Sequence, residues 1–154
     1  MFKNVAIGLT LVATLILSGC ASVPMGPKEQ DTALKQFAAP ASEKAGVYIY
    51  RNTFGGQALK KTLTLDGKVI GETANKVYFH TAVTPGNHTL GTESEFSDNT
   101  IPLVVEGGKN YFVEQYIRMG VFVGGAVLKV VSEAEGKAAV LQCALAEPQP
   151  LVGK

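Results

Sequence analysis

The sequence predicts a mainly β protein, an antiparallel sandwich or barrel of seven or eight short strands, and three observations carry that prediction. From Gly46 onward, runs of β-branched and aromatic residues alternate with a period of two. Turn signals, among them Asp66-Gly67, Pro85-Gly86 and Gly107-Gly108, separate the runs at intervals of about 8 to 12 residues. The 154 residues are 46% hydrophobic and 18% charged with a net charge of +1, the balance of one ordinary globular domain. The lysines are scattered singly apart from Lys60 and Lys61, so there is no basic stripe of the kind that neutralises phosphates, and nucleic acid is set aside as a partner.

Residues 1–19 read as a cleaved secretory signal. Lys3 and the terminal amine supply the positive end, Val5 to Leu17 is an apolar run of thirteen residues, and Ser18 and Gly19 are small. A helix of that length spans roughly 20 Å, short of the roughly 30 Å hydrocarbon core, so the run is not a permanent membrane span. Leu17-Ser18-Gly19-Cys20 resembles the lipobox of bacterial lipoproteins at all four positions. The resemblance implies that the Cys20 thiol takes a diacylglyceryl group, that a signal peptidase recognising Leu17, Ser18 and Gly19 cuts before Cys20, and that the new amine is acylated with a palmitate-class chain. Two or three such chains hold a protein stably at a membrane. Ala21 stands where an Asp would mark retention at the inner membrane, which favours the outer membrane, facing the periplasm.

Removal of nineteen residues would leave 135, enough to bury a core without disulfide or metal. Residues 20–28, with Ser22, Pro24, Gly26 and Pro27, read as the lipidated Cys and an extended tether of roughly 25 Å. Residues 29–45 read as a short helix around Ala33, Leu34 and Phe37, stopped by Pro40, and a linker. The β domain is expected over 46–146 and a flexible tail over 147–154.

Within the domain, GVYIYR (46–51) sets Tyr48 and Tyr50 on one face and Val47, Ile49 and Arg51 on the other, so this strand is apolar on both faces and central. Lys61 to Asp66 and Val69 to Glu72 flank the Asp66-Gly67 hairpin. Val77 to Thr84 and Asn87 to Glu95 flank Pro85-Gly86, read as a second hairpin pairing Val83 with His88. Ile101 to Val105, Tyr111 to Arg118 and Ala126 to Val131 add three strands. At the end, Ser132 and Glu135 form a capping box and Ala134, Ala138, Leu141 and Leu145 recur at helical spacing, while Gly136 argues for a turn and an edge strand over Ala139 to Leu145; the helix is favoured.

Four stretches together, GVYIYR, LTLDGKVIGE, VYFHTAVTPGNHTL and VVEGGKNYFVE, resemble the bacterial domain of unknown function numbered 2846, over about residues 44 to 146. The middle part is also similar to PEGA-type, immunoglobulin-like surface domains. The resemblance implies an immunoglobulin-like β-sandwich and carries no catalytic residue.

His80 and His88 are the only histidines, and on the expected hairpin register they lie on opposite sheet faces, so no metal site is expected. Glu93, Glu95 and Asp98 sit among Ser94, Ser97 and Asn99 and read as a solvated rim. Cys143, left alone in an oxidising compartment, reads as a buried small hydrophobe. No nucleophile elbow or phosphate loop occurs, and Gly120 to Gly125 reads as a flexible connection. The expectation is a non-enzymatic, cofactor-free binding or structural module, anchored through Cys20, with another envelope protein as partner. Peptidoglycan or another glycan is the alternative partner and a small envelope enzyme the remaining one. Tyr48, Tyr50 and Tyr116 are the expected binding face, because strands apolar on both sides leave a face for something to cover.

Overall fold

Strands with two apolar faces need a layer on each side, and the computed structural model, which describes residues 22–94, 98–122 and 124–149, has three layers. In chain order the elements are α1 (Lys28–Leu34), β1 (Ala45–Arg51), β2 (Lys61–Leu65), β3 (Lys68–Thr73), β4 (Val77–Val83), β5 (Gly86–Glu93), β6 (Asp98–Val105), β7 (Asn110–Met119), β8 (Gly124–Val131), α2 (Glu133–Val140) and β9 (Ala144–Leu145). One sheet has the order β8-β7-β1-β4-β9 and the other β3-β2-β5-β6. The sandwich is therefore as the sequence predicts, with nine strands and two short helices among the described residues.

Its strand order departs from the immunoglobulin arrangement, in which the first strand shares a sheet with the second, fifth and fourth. Here β1 lies at the centre, antiparallel to β4 and parallel to β7. A second parallel pair joins β4 to β9. The Asp66-Gly67 hairpin forms as its dipeptide dictates, both residues taking positive φ, 50° and 75°. The Pro85-Gly86 turn does not close a hairpin. β4 is paired along its whole length to β1, and β5 is held between β2 and β6 in the other sheet, so the turn is a corner that carries the chain across the sandwich.

Between the sheets, Val47, Ile49, Leu63, Phe79, Leu90, Leu103, Val113 and Leu128 make the first core. On the far face of the five-stranded sheet, Tyr48, Tyr50, Tyr78 and Phe112 pack against Val140, Cys143 and Leu145, with Leu34 and Phe37 at the margin. The helices are thus the missing cover. Hydroxyls fasten the layer: Tyr48 Oη donates to the Leu34 carbonyl (3.0 Å) and Tyr78 Oη to Asp31 Oδ1 (2.7 Å).

Of the two readings of the C-terminal stretch the helix forms, ending at Val140, and of the alternative edge strand over Ala139 to Leu145 only Ala144 and Leu145 are extended, with Gly136 inside the helix rather than at a turn. Ser132 caps α2 by accepting from the Glu135 amide (3.3 Å), and after the helix β9 joins the sheet edge. Gly136 sits inside the helix because a Cβ there would fall 2.2 Å from Phe112 Cβ. Helix and sheet touch backbone to ring at that point.

The expected tether is shorter than its composition suggests. Val23 is in the first core, Met25 pairs antiparallel with Ala146, the Gly26 amide donates to the Leu145 carbonyl (2.9 Å) and the Glu147 amide to the Pro24 carbonyl (2.9 Å). The start of the expected tail is held as well, the Gln149 amide donating to the Ile70 carbonyl (2.7 Å).

Candidate functional site

Cys20 and its flanking Leu17, Ser18 and Gly19 lie outside the described residues. Among the described residues no helix is long and apolar enough to cross a membrane.

The expected tyrosine face is not a surface. Tyr48 and Tyr50 are 2% exposed, because the helical layer and the segment before β9 close over them. Burial raises the pKa of both hydroxyls above the ordinary tyrosine value, Tyr50 further through Glu114 nearby. Only Tyr116 keeps partial exposure, its hydroxyl accepting from Arg118 Nη2 at 3.5 Å.

The histidines are separated by the corner. His80, on β4, packs against Tyr48 with ring centroids 4.6 Å apart and the rings tilted by 54°, and burial lowers its pKa. His88, on β5, has Nδ1 2.7 Å from Asp66 Oδ2 and Nε2 2.8 Å from the Thr84 carbonyl, and the hydrogen bond to Asp66 raises its pKa. Because β4 and β5 belong to different sheets, the hairpin register expected from sequence does not apply to them. Among the described residues no three His, Cys, Asp or Glu side chains are grouped to hold a metal ion. Glu93 and Asp98 face each other where β5 meets β6, and Glu93 Oε1 accepts from the Thr62 amide (3.2 Å), while Glu95 lies outside the described residues. Cys143 is buried, its thiol pushed up to about 11 by desolvation, which keeps it a thiol rather than a nucleophilic thiolate at neutral pH.

Two features carry more than the sequence offered. The first is polar and interior. Gln115 Nε2 donates to Thr92 Oγ1 (2.7 Å), Thr73 Oγ1 donates to Gln115 Oε1, and Thr92 Oγ1 donates to the Thr62 carbonyl (2.9 Å), stitching the two sheets together through buried side chains. Arg51, fully buried and on the β1 face of Val47 and Ile49, donates from Nη2 to the Leu59 carbonyl (2.5 Å), while its Nε and Nη1 have no hydrogen-bond partner among the described residues. Desolvation pulls its pKa down to about 10. Its parity was visible in the alternation of GVYIYR, since Arg51 follows Val47 and Ile49 at a spacing of two.

The second feature is apolar and exterior. At the end of the sandwich where β7 turns into β8, Met119, Val121 and Phe122 are 84%, 77% and 83% exposed, and Phe54, on the connection from β1 to β2, is 97% exposed. The β1 to β2 connection packs on the ends of β7 and β8: a Cβ on Gly56 would fall 2.6 Å from Ile117 Cγ1, and one on Gly124 would fall 2.8 Å from Leu59 Cδ1. Arg118, Met119, Gly120 and Gly125 line a shallow depression beside this tip, with Ser94 and Asn99 from the neighbouring hairpin. Single exposed apolar side chains are ordinary, whereas several large ones gathered on adjoining loops mark contact surfaces. What the tip offers chemically is apolar surface.

The family model described as "Protein of unknown function (DUF2846)" matches residues 41–126, from just before β1 into β8. A protein of Haemophilus influenzae (strain ATCC 51907 / DSM 11121 / KW20 / Rd), described as "Uncharacterized protein", is 51% identical over 126 residues, 82% of this chain and 75% of the relative. No solved structure matches.

Proposed function

Since the chain belongs to the DUF2846 family, whose description assigns no activity, we propose a role argued from geometry: a non-enzymatic, lipid-anchored envelope module that docks another envelope protein through its apolar tip. The observation that carries the reading is the exposure of large apolar side chains at one end of the sandwich, Met119, Val121 and Phe122 where β7 turns into β8 and Phe54 on the connection from β1 to β2. Large apolar side chains held in water at one end of a domain lose free energy by being covered, at about 25 cal/mol per Å² of apolar area removed from solvent. The lipobox-like Leu17-Ser18-Gly19-Cys20 supports the anchor, and Ala21 supports an outer-membrane, periplasm-facing address. Sugar stacking on Tyr48 and Tyr50 is no part of the reading, because both rings are covered.

The test is site-specific photo-crosslinking in intact cells, with the photoreactive residue placed at Phe122, at Phe54 and at the exposed Lys68 on the far side of the other sheet. One discrete protein adduct from Phe122 and Phe54, absent from Lys68 and lost in a Cys20→Ser background, is the expected result. Adducts of equal strength from all three positions, or crosslinks to peptidoglycan alone, would overturn the protein-docking reading. Phe54→Ser with Phe122→Ser is expected to abolish capture while leaving unfolding free energy within about 0.5 kcal/mol, since both side chains are exposed.

A further inference from the structure

We infer that the acylated domain has no stalk and lies edge-down on its membrane, the seam between residues 23–26 and 145–147 against the bilayer and the apolar tip held away from it. The inference rests on the lipid-anchor reading and adds an orientation to it.

The argument is one of chain length. Val23 is packed in the core between the sheets, and Met25 and Gly26 are bonded to Ala146 and Leu145. Between Cys20 and Val23 stand only Ala21 and Ser22. Even fully extended, the three residue steps from Cys20 to Val23 span at most about 11 Å. A thioether-linked lipid at Cys20 must therefore keep the seam within that distance of the headgroups, where a 25 Å tether would have let the domain turn freely. The surface around the seam suits such a neighbour: Met25 is 46% exposed, and Pro24, Pro27 and Pro148 are exposed beside it.

The topology then fixes where everything else points. The seam extends the β9 edge of the five-stranded sheet, and β8 is the opposite edge of the order β8-β7-β1-β4-β9. Four strand spacings of about 4.8 Å separate β9 from β8, so the β7 to β8 turn stands roughly 19 Å farther from the bilayer than the seam does. A tip facing away from the lipid surface can meet a protein partner without competing with the membrane for the same apolar side chains.

The chain contains no tryptophan, so a single introduced one reports its own surroundings. Glu147→Trp at the seam and Phe122→Trp at the tip are purified in acylated form, with acylation read from the intact mass, and reconstituted into phosphatidylethanolamine and phosphatidylglycerol vesicles carrying headgroup-level spin labels. The Glu147→Trp emission is expected to be largely lost and the Phe122→Trp emission to match that in label-free vesicles. A Gly/Ser insertion of about six residues between Ser22 and Val23, which adds about 13 Å of mean reach, is expected to restore the Glu147→Trp emission without altering the acylated mass. Quenching at Phe122→Trp, or none at Glu147→Trp, in protein of acylated mass would overturn the orientation and leave the anchor standing. An intact mass without acyl chains would overturn the anchor itself, and the orientation with it.

Discussion

Arg51 is a full positive charge between two sheets with one hydrogen bond and no carboxylate in ion-pair range among the described residues. Burying an unpaired charge is costly, and replacing buried ionic groups by apolar ones of similar volume is often neutral or stabilising. Arg51→Met is therefore expected to leave the unfolding free energy in urea unchanged or to raise it by roughly 1 kcal/mol, the loss of the Leu59 bond being the smaller term. A fall of more than about 2 kcal/mol would show that the guanidinium does structural work not accounted for by its one bond. Asp66 and His88 form the contrasting case, a pair at the surface whose hydrogen bond lowers the carboxyl and raises the imidazole. Asp66 stabilises the fold above its ordinary value of 3.8 and loses that contribution as pH falls through its lowered folded value. His88 stabilises below its ordinary 6.5, and that contribution is lost as pH rises through its raised folded value. The pair thus contributes most between pH 3.8 and 6.5. Asp66→Asn is expected to return the His88 imidazole resonance towards an ordinary titration and to remove the gain in that window, while the His80 resonance, held low by burial, stays where it is.

At the scale of elements, α2 is where local preference and packing disagree. Alanine is favoured over glycine in a helix by about 1 kcal/mol, yet the space at Gly136 is already filled by Phe112. Gly136→Ala is expected to destabilise by about 1–3 kcal/mol net in chemical denaturation, as overpacking does, and pairing it with Phe112→Leu should return part of the loss. The same residue explains what the sequence left open at this end: glycine inside a capped, periodic stretch reads equally as a turn, and only the ring beneath it decides. The strands were legible because period-two alternation and Asp66-Gly67 are local signals. Pro85-Gly86 was not, since a corner between sheets and a hairpin use the same turn chemistry, and the choice lies in which edges β1 and β2 have already taken. Tyr48 and Tyr50 were placed on a second apolar face correctly, but the cover comes from Phe37, Val140 and Leu145, too far along the chain for spacing to connect. Gly120 to Gly125 was legible as a connection, but with no periodicity to read, nothing in it tells that Val121 and Phe122 stand exposed.

For the whole molecule the seam matters most. It joins residues 23–26 to 145–147, so stability depends on a short C-terminal segment. Ending the chain after Cys143 removes the buried Leu145 and Ala146 and the backbone bonds of Pro24 and Gly26, and is expected to cost at least about 3 kcal/mol, read as a lower melting midpoint by circular dichroism. Deleting only residues 150–154 tests the specificity of that effect, the midpoint being expected to hold. The seam also imposes a schedule. A chain that emerges N-terminus first presents Pro24 to Gly26 early and must leave that edge unsatisfied until Glu147 has followed, with β1 waiting likewise for β7. Such long-range closures come late and slowly. Residues 24–26, made long before residue 147, are among the last to find their place, so until the seam closes the chain is an open sheet in need of protection from its neighbours.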